Sequence, residues 1–313
     1  RIALVGDTLL EREQTWGYME TAITARHPAH DLVFRNFAWS GDNPLGQSRA
    51  SFDWSKPKEQ WVQRITRELE AFEPTVLLLG YGMASSLEHP NQTRAFRDEL
   101  VALIEACRAG SKKPADLRVV LLSPMRHEAM GAPLPDPSDH NRALVRYVRT
   151  LRALALEQQL PFVDLYHDLG DGHADPFKRA FTENGIHPGP YGYARIAELI
   201  SRVLSHEPWP WRLEINDSGV LEAASKGLQV WDFQSQAEGM AVTLKDDLLP
   251  AANADPKDAL LPTSQAPRII QVSGLAPGRY ALKIDGQIYA VYSADQWAQG
   301  QVFERGPQFD QAT

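Results

Sequence analysis

The sequence predicts an α/β protein: a five-stranded parallel sheet covered by helices on both faces in residues 1–205, then a smaller β-rich domain in residues 206–313. Three observations predict it. Short apolar runs, several ending in glycine or a small polar residue, alternate with helical stretches; strands joined by helical crossovers lie parallel and are buried on both faces. The polar strand ends converge on one edge of such a sheet, where open α/β sheets hold their ligands. After Pro208-Trp209-Pro210-Trp211 the long helical patterns stop.

Ile2 to Gly6 reads as the first buried strand, running into Asp7-Thr8. On that stretch alone, capping of the next helix is the better reading of Asp7 and Thr8. Residues 16–26 read as a helix, Leu32 to Phe37 as the second strand, 44–57 as a loop and 59–72 as an amphipathic helix. Thr75 to Leu79 is the third strand, ending at Gly80-Tyr81-Gly82, and a helix follows over 94–109. Arg118 to Pro124 is the fourth strand, followed by Arg126-His127-Glu128. A helix over 140–159, a fifth strand over 161–165 and a closing helix over 191–204 complete the pattern. Beyond it, 211–215, 239–244 and 268–272 read as strands, and 279–284 with 287–291 as a hairpin around Asp285-Gly286. Residues 250–267 read as a mobile loop.

A net charge of −8 argues against nucleic acid as a partner. The single Cys107 allows no intrachain disulfide, and no apolar run is long enough to span a membrane. The chain starts on its first strand, which reads as a mature or trimmed form and leaves export open. No cofactor is called for. His167 and His173 with Asp164, Asp168, Asp171 and Asp175 suggest a metal only superficially, since their spacing matches no closed ligand set. His27, His30 and His140 read as surface histidines, Trp39 as core in preference to a sugar platform, and Tyr191 and Tyr193 as helix-packing residues. His127-Glu128 is either a pocket contact or a surface pair.

Taken in order, these blocks resemble the SGNH hydrolases, the GDSL-type esterases and lipases, over residues 1–205. The resemblance implies a flavodoxin-like three-layer α/β/α fold and acyl ester hydrolysis. It puts Thr8 at the nucleophile position, Gly41 and Ala84 at the oxyanion-hole positions, and Asn184 and His187 at those of orienter and base. Trp39-Ser40-Gly41-Asp42, Leu79 to Gly82, Ser123-Pro124 with His127-Glu128, and Asn184 to His187 are closest to a subgroup found in planctomycetes and related bacteria. That subgroup often carries a C-terminal β-rich extension.

Three positions depart from the family pattern: Thr8 replaces Ser, Ala84 replaces Asn, and Asn184 replaces Asp. A methyl on the nucleophile stiffens χ1. A lost oxyanion donor costs about 10²–10³ in rate. A neutral orienter favours the wrong imidazole tautomer. Glu183 is a substitute carboxylate, and Asp42, Asn43, Ser85 or Tyr81 a substitute donor; Asp7, Asn43, Tyr81, His127, Glu128 and Glu183 are candidate substrate contacts. Two functions remain open: an ester hydrolase for small acyl or acetylated carbohydrate substrates, or a degenerate member binding a glycan or protein. A protein partner of the β domain cannot be named. A flavodoxin-like nucleotide binder is disfavoured, because no Gly-rich phosphate loop follows the first strand.

Overall fold

The computed structural model describes residues 1–27, 29–50, 58–170, 179–205, 211–216, 218–223, 228–236, 239–246 and 268–303. The expected mobile loop at 250–267 lies outside them, as do residues 51–57 and the metal candidates Asp171, His173 and Asp175. Contacts divide the chain into two compact units: Arg1–Glu20 with Asp31–Leu204, and Thr21–His30 with Ser205–Thr313.

β1 (Ile2–Gly6) is followed by α1 (Thr8–Glu13), α2 (Tyr18–Arg26), β2 (Phe34–Asn36), α3 (Gln47–Ala50) and α4 (Lys58–Phe72); all belong to the first unit except α2, which from Thr21 onward is assigned to the second. Then come β3 (Val76–Gly80), α5 (Met83–Glu88), α6 (Thr93–Gly110), β4 (Arg118–Leu122), α7 (Ser138–Glu157), β5 (Phe162–Val163), α8 (Leu165–Asp168) and α9 (Pro190–Leu204). The strands form one sheet in the order β2-β1-β3-β4-β5, every pair parallel. Period-two alternation decides its packing. Ala3, Val5, Leu77, Leu79, Val119 and Leu121 join one core cluster with Ile65, Leu69, Leu100, Leu103, Tyr147 and Leu151 from α4, α6 and α7. The intervening Leu4, Leu78, Val120 and Leu122 are as deeply buried. Both faces are therefore covered, as a parallel sheet requires.

Gly6 pairs with Gly80 at the carboxyl ends of β1 and β3. A Cβ there would lie 2.2 Å from the Gly80 carbonyl oxygen, so no larger residue fits. This brings the ends of the two central strands together under the site.

Three local expectations are corrected. The helix expected over 16–26 begins at Tyr18, after a turn that separates it from α1. The stretch read as loop over 44–57 contains α3. The fifth strand is only two residues long, because Asp164 caps α8 by accepting the His167 backbone N–H.

In the second unit, β6 (Trp211–Asn216), β7 (Gly219–Ala223), β8 (Leu228–Gln236), β9 (Gly239–Asp246), β10 (Arg268–Val272), β11 (Arg279–Ile284), β12 (Gln287–Ser293), α10 (Ala294–Gln299) and β13 (Gln301–Phe303) follow. They make a four-stranded sheet in the order β13-β10-β6-β7 and the hairpins β8-β9 and β11-β12. Leu213, Ile215, Leu228, Ile270 and Trp297 are its buried core. Among the described residues, no helix is long and apolar enough to cross a membrane.

Candidate active site

A cavity of about 220 Å³ opens at the carboxyl ends of β1, β3 and β4. Asp7, Thr8, Gly41, Gly80, Tyr81, Met83, Ala84, Ser123 and His187 line it. Leu87, Pro124, Met125 and Ile186 make much of its wall apolar; Pro124 and Ile186 lie in blocks the sequence marks, whereas Leu87 and Met125 carry no motif.

Asp7 holds two blocks together. One carboxylate oxygen accepts the Leu9 N–H at 3.2 Å and caps α1; the other accepts the Met83 N–H at 3.2 Å and fixes the start of α5. Burial pushes its carboxyl up to about 7 against the pull of these N–H donors, and the nearby Asp42 adds to the rise. The Thr8 Oγ1 accepts the Gly41 N–H at 2.8 Å. The Thr8 hydroxyl thus occupies the N–H of Gly41, the residue expected from the sequence to supply an oxyanion donor. Among the described residues, no hydrogen bond runs from the Thr8 hydroxyl to the His187 ring.

Asn184 decides the state of His187. Its Oδ1 accepts the His187 N–H at 3.0 Å and the Ile186 N–H at 3.3 Å. Its Nδ2 therefore faces the His187 Nδ1, at 3.0 Å. An amide NH₂ can only donate, so this network assigns Nδ1 as the acceptor and leaves the ring proton on Nε2. Burial pushes the His187 pKa below its ordinary value, with the Arg12 guanidinium lowering it further and Glu183 opposing. The Glu183 carboxylate is engaged by Arg12 at 3.1 Å and makes no hydrogen bond to the His187 ring.

The remaining candidates are placed as follows. Ala84 lines the cavity but presents only a methyl. Asn43 is turned into its own loop, its Oδ1 accepting the Leu45 and Gln47 N–H groups. Asp42 is fully buried and accepts the Ser48 N–H. The Ser85 hydroxyl is buried without a hydrogen-bond partner among the described residues. Tyr81 is buried in the lining.

His127 and Glu128 are buried, which corrects the surface-pair reading, and neither lines the cavity. His140, read as a surface histidine, is half-buried and bonded to both His127 and Ser86. Burial, and secondarily His127, pushes the His140 pKa down to about 4; burial also lowers that of His127. Trp39 is 41 % exposed rather than core. Tyr193 is fully buried with its hydroxyl on the Leu9 carbonyl, and Tyr191 stacks on Phe181. Asp164 and His167 bond to each other and to Arg152. Among the described residues, no group of three or more His, Cys, Asp or Glu side chains is arranged to hold a metal ion.

Residues 3–195 match the model of the GDSL-like lipase/acylhydrolase family. The chain belongs to this family. Among solved structures, it is similar in fold to a gut microbial diltiazem-metabolizing enzyme at a TM-score of 0.71 and 17% identity, over 100% of this chain and 74% of that one. Other matches have lower TM-scores and cover about two thirds of this chain. A lipase/acylhydrolase from Enterococcus faecalis gives 0.45 at 18% identity, over 64% of this chain and 94% of that one. An acetyl-xylooligosaccharide esterase from Geobacillus gives 0.46 at 15%, over 66% and 94%. No curated protein matches the sequence.

Proposed function

We propose that this GDSL-like protein hydrolyses small acyl esters. The observation that carries the reading is the Thr8 hydroxyl at 2.8 Å from the Gly41 N–H, in a cavity that His187 also lines. In the reaction, the Thr8 oxygen attacks the ester carbonyl carbon and His187 takes its proton at Nε2, a step that requires the imidazole first to leave the resting tautomer that Asn184 favours. The alcohol leaves with a proton returned by the imidazolium, and water then cleaves the acyl-threonine by the same route. Thr8 must release the Gly41 N–H for that donor to serve the oxyanion. The apolar wall of Met83, Leu87, Pro124, Met125 and Ile186 favours a short acyl chain. The exposed indole of Trp39, two residues from Gly41, offers a sugar alcohol a surface to stack on.

A second reading has one specific observation in its favour. With Asn184 donating to Nδ1, the resting His187 is no base at Nε2. The cavity then presents two donors, the Thr8 hydroxyl and the His187 Nε2–H, and binds an acceptor ligand without turnover. Turnover of p-nitrophenyl acetate by the parent, Thr8→Ala and His187→Ala separates the two. Activity lost in both variants supports hydrolysis through Thr8. Activity surviving only in Thr8→Ala indicates a histidine that activates water. No turnover in the parent, on this ester or on acetylated sugars, leaves the binding reading.

A further inference from the structure

Two adjacent residues after β4 serve different neighbours. The His127 Nδ1 lies 2.9 Å from the His140 Nδ1 on α7, and the His140 Nε2 lies 2.9 Å from the Ser86 Oγ on α5. The Ser86 hydroxyl in turn donates to the Met83 carbonyl at 2.9 Å. A carbonyl only accepts, so the single hydroxyl proton is spent there. Ser86 must then accept from His140 Nε2–H. This leaves the His140 Nδ1 bare, and the proton between the rings belongs to His127. The chain closes with the His140 imidazole neutral and a proton on the His127 Nδ1. Asn141 on α7 completes the attachment, its side chain accepting the His127 N–H and donating to the His127 carbonyl.

Glu128 faces the loop that carries His187. Its carboxylate accepts the Phe181 N–H at 3.0 Å, the Thr182 N–H at 2.7 Å and the Thr182 hydroxyl at 2.5 Å. Its backbone N–H donates to the Gly185 carbonyl at 2.9 Å. The Thr182 hydroxyl oxygen also accepts the Gly185 N–H. Gly185 is pressed against this segment: with φ at +96°, a Cβ would lie 2.9 Å from the His127 ring and 3.0 Å from the Glu128 carbonyl oxygen. One dipeptide thus grips both ends of the turn preceding His187.

We propose that Glu128 is a positioning residue for His187, and that Asn141 and the Ser86–His140–His127 chain anchor it to the helix layer. The effect on turnover rests on the hydrolase reading; the effect on the loop does not. The test compares the parent, Glu128→Gln and His140→Phe by amide hydrogen exchange and by kcat and KM on p-nitrophenyl acetate. An amide NH₂ at position 128 opposes one set of the loop's donors. A phenyl ring at 140 removes both nitrogens of the chain.

The Thr182 and Gly185 amides are expected to exchange about tenfold faster in both variants, the ratio one ordinary hydrogen bond carries, with β1, β3 and β4 amides unchanged. kcat falls while KM is retained. The His127 imidazole N–H proton signal survives Glu128→Gln and disappears in His140→Phe. Ser86→Ala removes only the far end of the chain and gives a smaller change of the same sign, which covers a Glu128→Gln variant that does not fold. Unchanged loop exchange in the folded variants, or a uniform rise over the whole sheet, overturns the proposal. Faster loop exchange beside a parent with no esterase activity removes the hydrolase reading and leaves the positioning role standing.

Discussion

Replacing Asn184 with Asp changes one atom type at the point that sets the His187 tautomer. The Asn184 Oδ1 already accepts the Ile186 and His187 N–H groups, and an aspartate keeps both bonds. The exchanged atom is Nδ2, 3.0 Å from Nδ1. A carboxylate oxygen there accepts, so the ring proton moves to Nδ1 and the Nε2 lone pair becomes available. A hydrogen bond to a charged group contributes about 1.5–3 kcal/mol, which sets a lower expectation of roughly 10–100-fold in rate. The reverse change in a serine protease costs about 10⁴, which sets the ceiling. The apparent pKa of the base rises as well, because the carboxylate stabilises the imidazolium. The assay is kcat/KM on p-nitrophenyl acetate from pH 5 to 9, for the parent, Asn184→Asp and Asn184→Asp with His187→Ala. An unchanged or lower rate in a folded Asn184→Asp protein would refute the tautomer argument. A gain that survives His187→Ala would refute the assignment of His187 as the base.

Other outcomes follow from the same geometry. Ala84→Asn restores a donor at the cavity wall and is expected to raise kcat by up to about 10²-fold with little change in KM, measured on the same ester. Gly6→Ala drives a methyl into the Gly80 carbonyl and is expected to cost roughly 3 kcal/mol or more, read as a fall in the urea midpoint. Asp7 and Glu13 are buried carboxyls both pushed up to about 7, chiefly by burial. The folded state therefore holds these protons more tightly than the unfolded chain, so their contribution makes stability fall as pH rises from about 4 to 7 and level off above that. The rises set ceilings of roughly 4 kcal/mol for Asp7 and roughly 3 kcal/mol for Glu13, and Glu13→Gln should flatten that part of the pH profile of the urea midpoint.

Much of the scaffold was legible because its signals are local. Apolar runs such as Thr75 to Leu79 become central strands, and their polar ends do gather around one cavity. Thr8, Gly41, Ala84 and His187 were identified by block order and all line that cavity. What sequence could not reveal depends on partners distant in the chain. His140 looks like a surface residue until helix α7 brings it to His127 and Ser86. Glu128 gains its meaning from a loop more than fifty residues later. Trp39 was assigned to the core on residue type, yet its ring is partly exposed. Strands β7, β8 and β13 and helix α10 were missed: β7, β13 and α10 are short, and the pairing of the longer β8 shifts register between Trp231 and Gln234; α10 is marked by a capping box between Ser293 and Gln296.

The bond between Thr8 and Gly41 bears on how ligands of this cavity would rank. The Gly41 N–H is already satisfied before any ligand arrives. A carbonyl that enters exchanges one hydrogen bond for another, so improving its acceptor strength changes affinity little. Hydrocarbon reaching Met83, Leu87, Met125 and Ile186 has no such competitor. Each buried methylene contributes about 0.8 kcal/mol, or roughly fourfold in affinity, until the space is full. A series of inhibitors would therefore be steep in chain length and flat in polarity, with a sharp break at the length the cavity stops accepting.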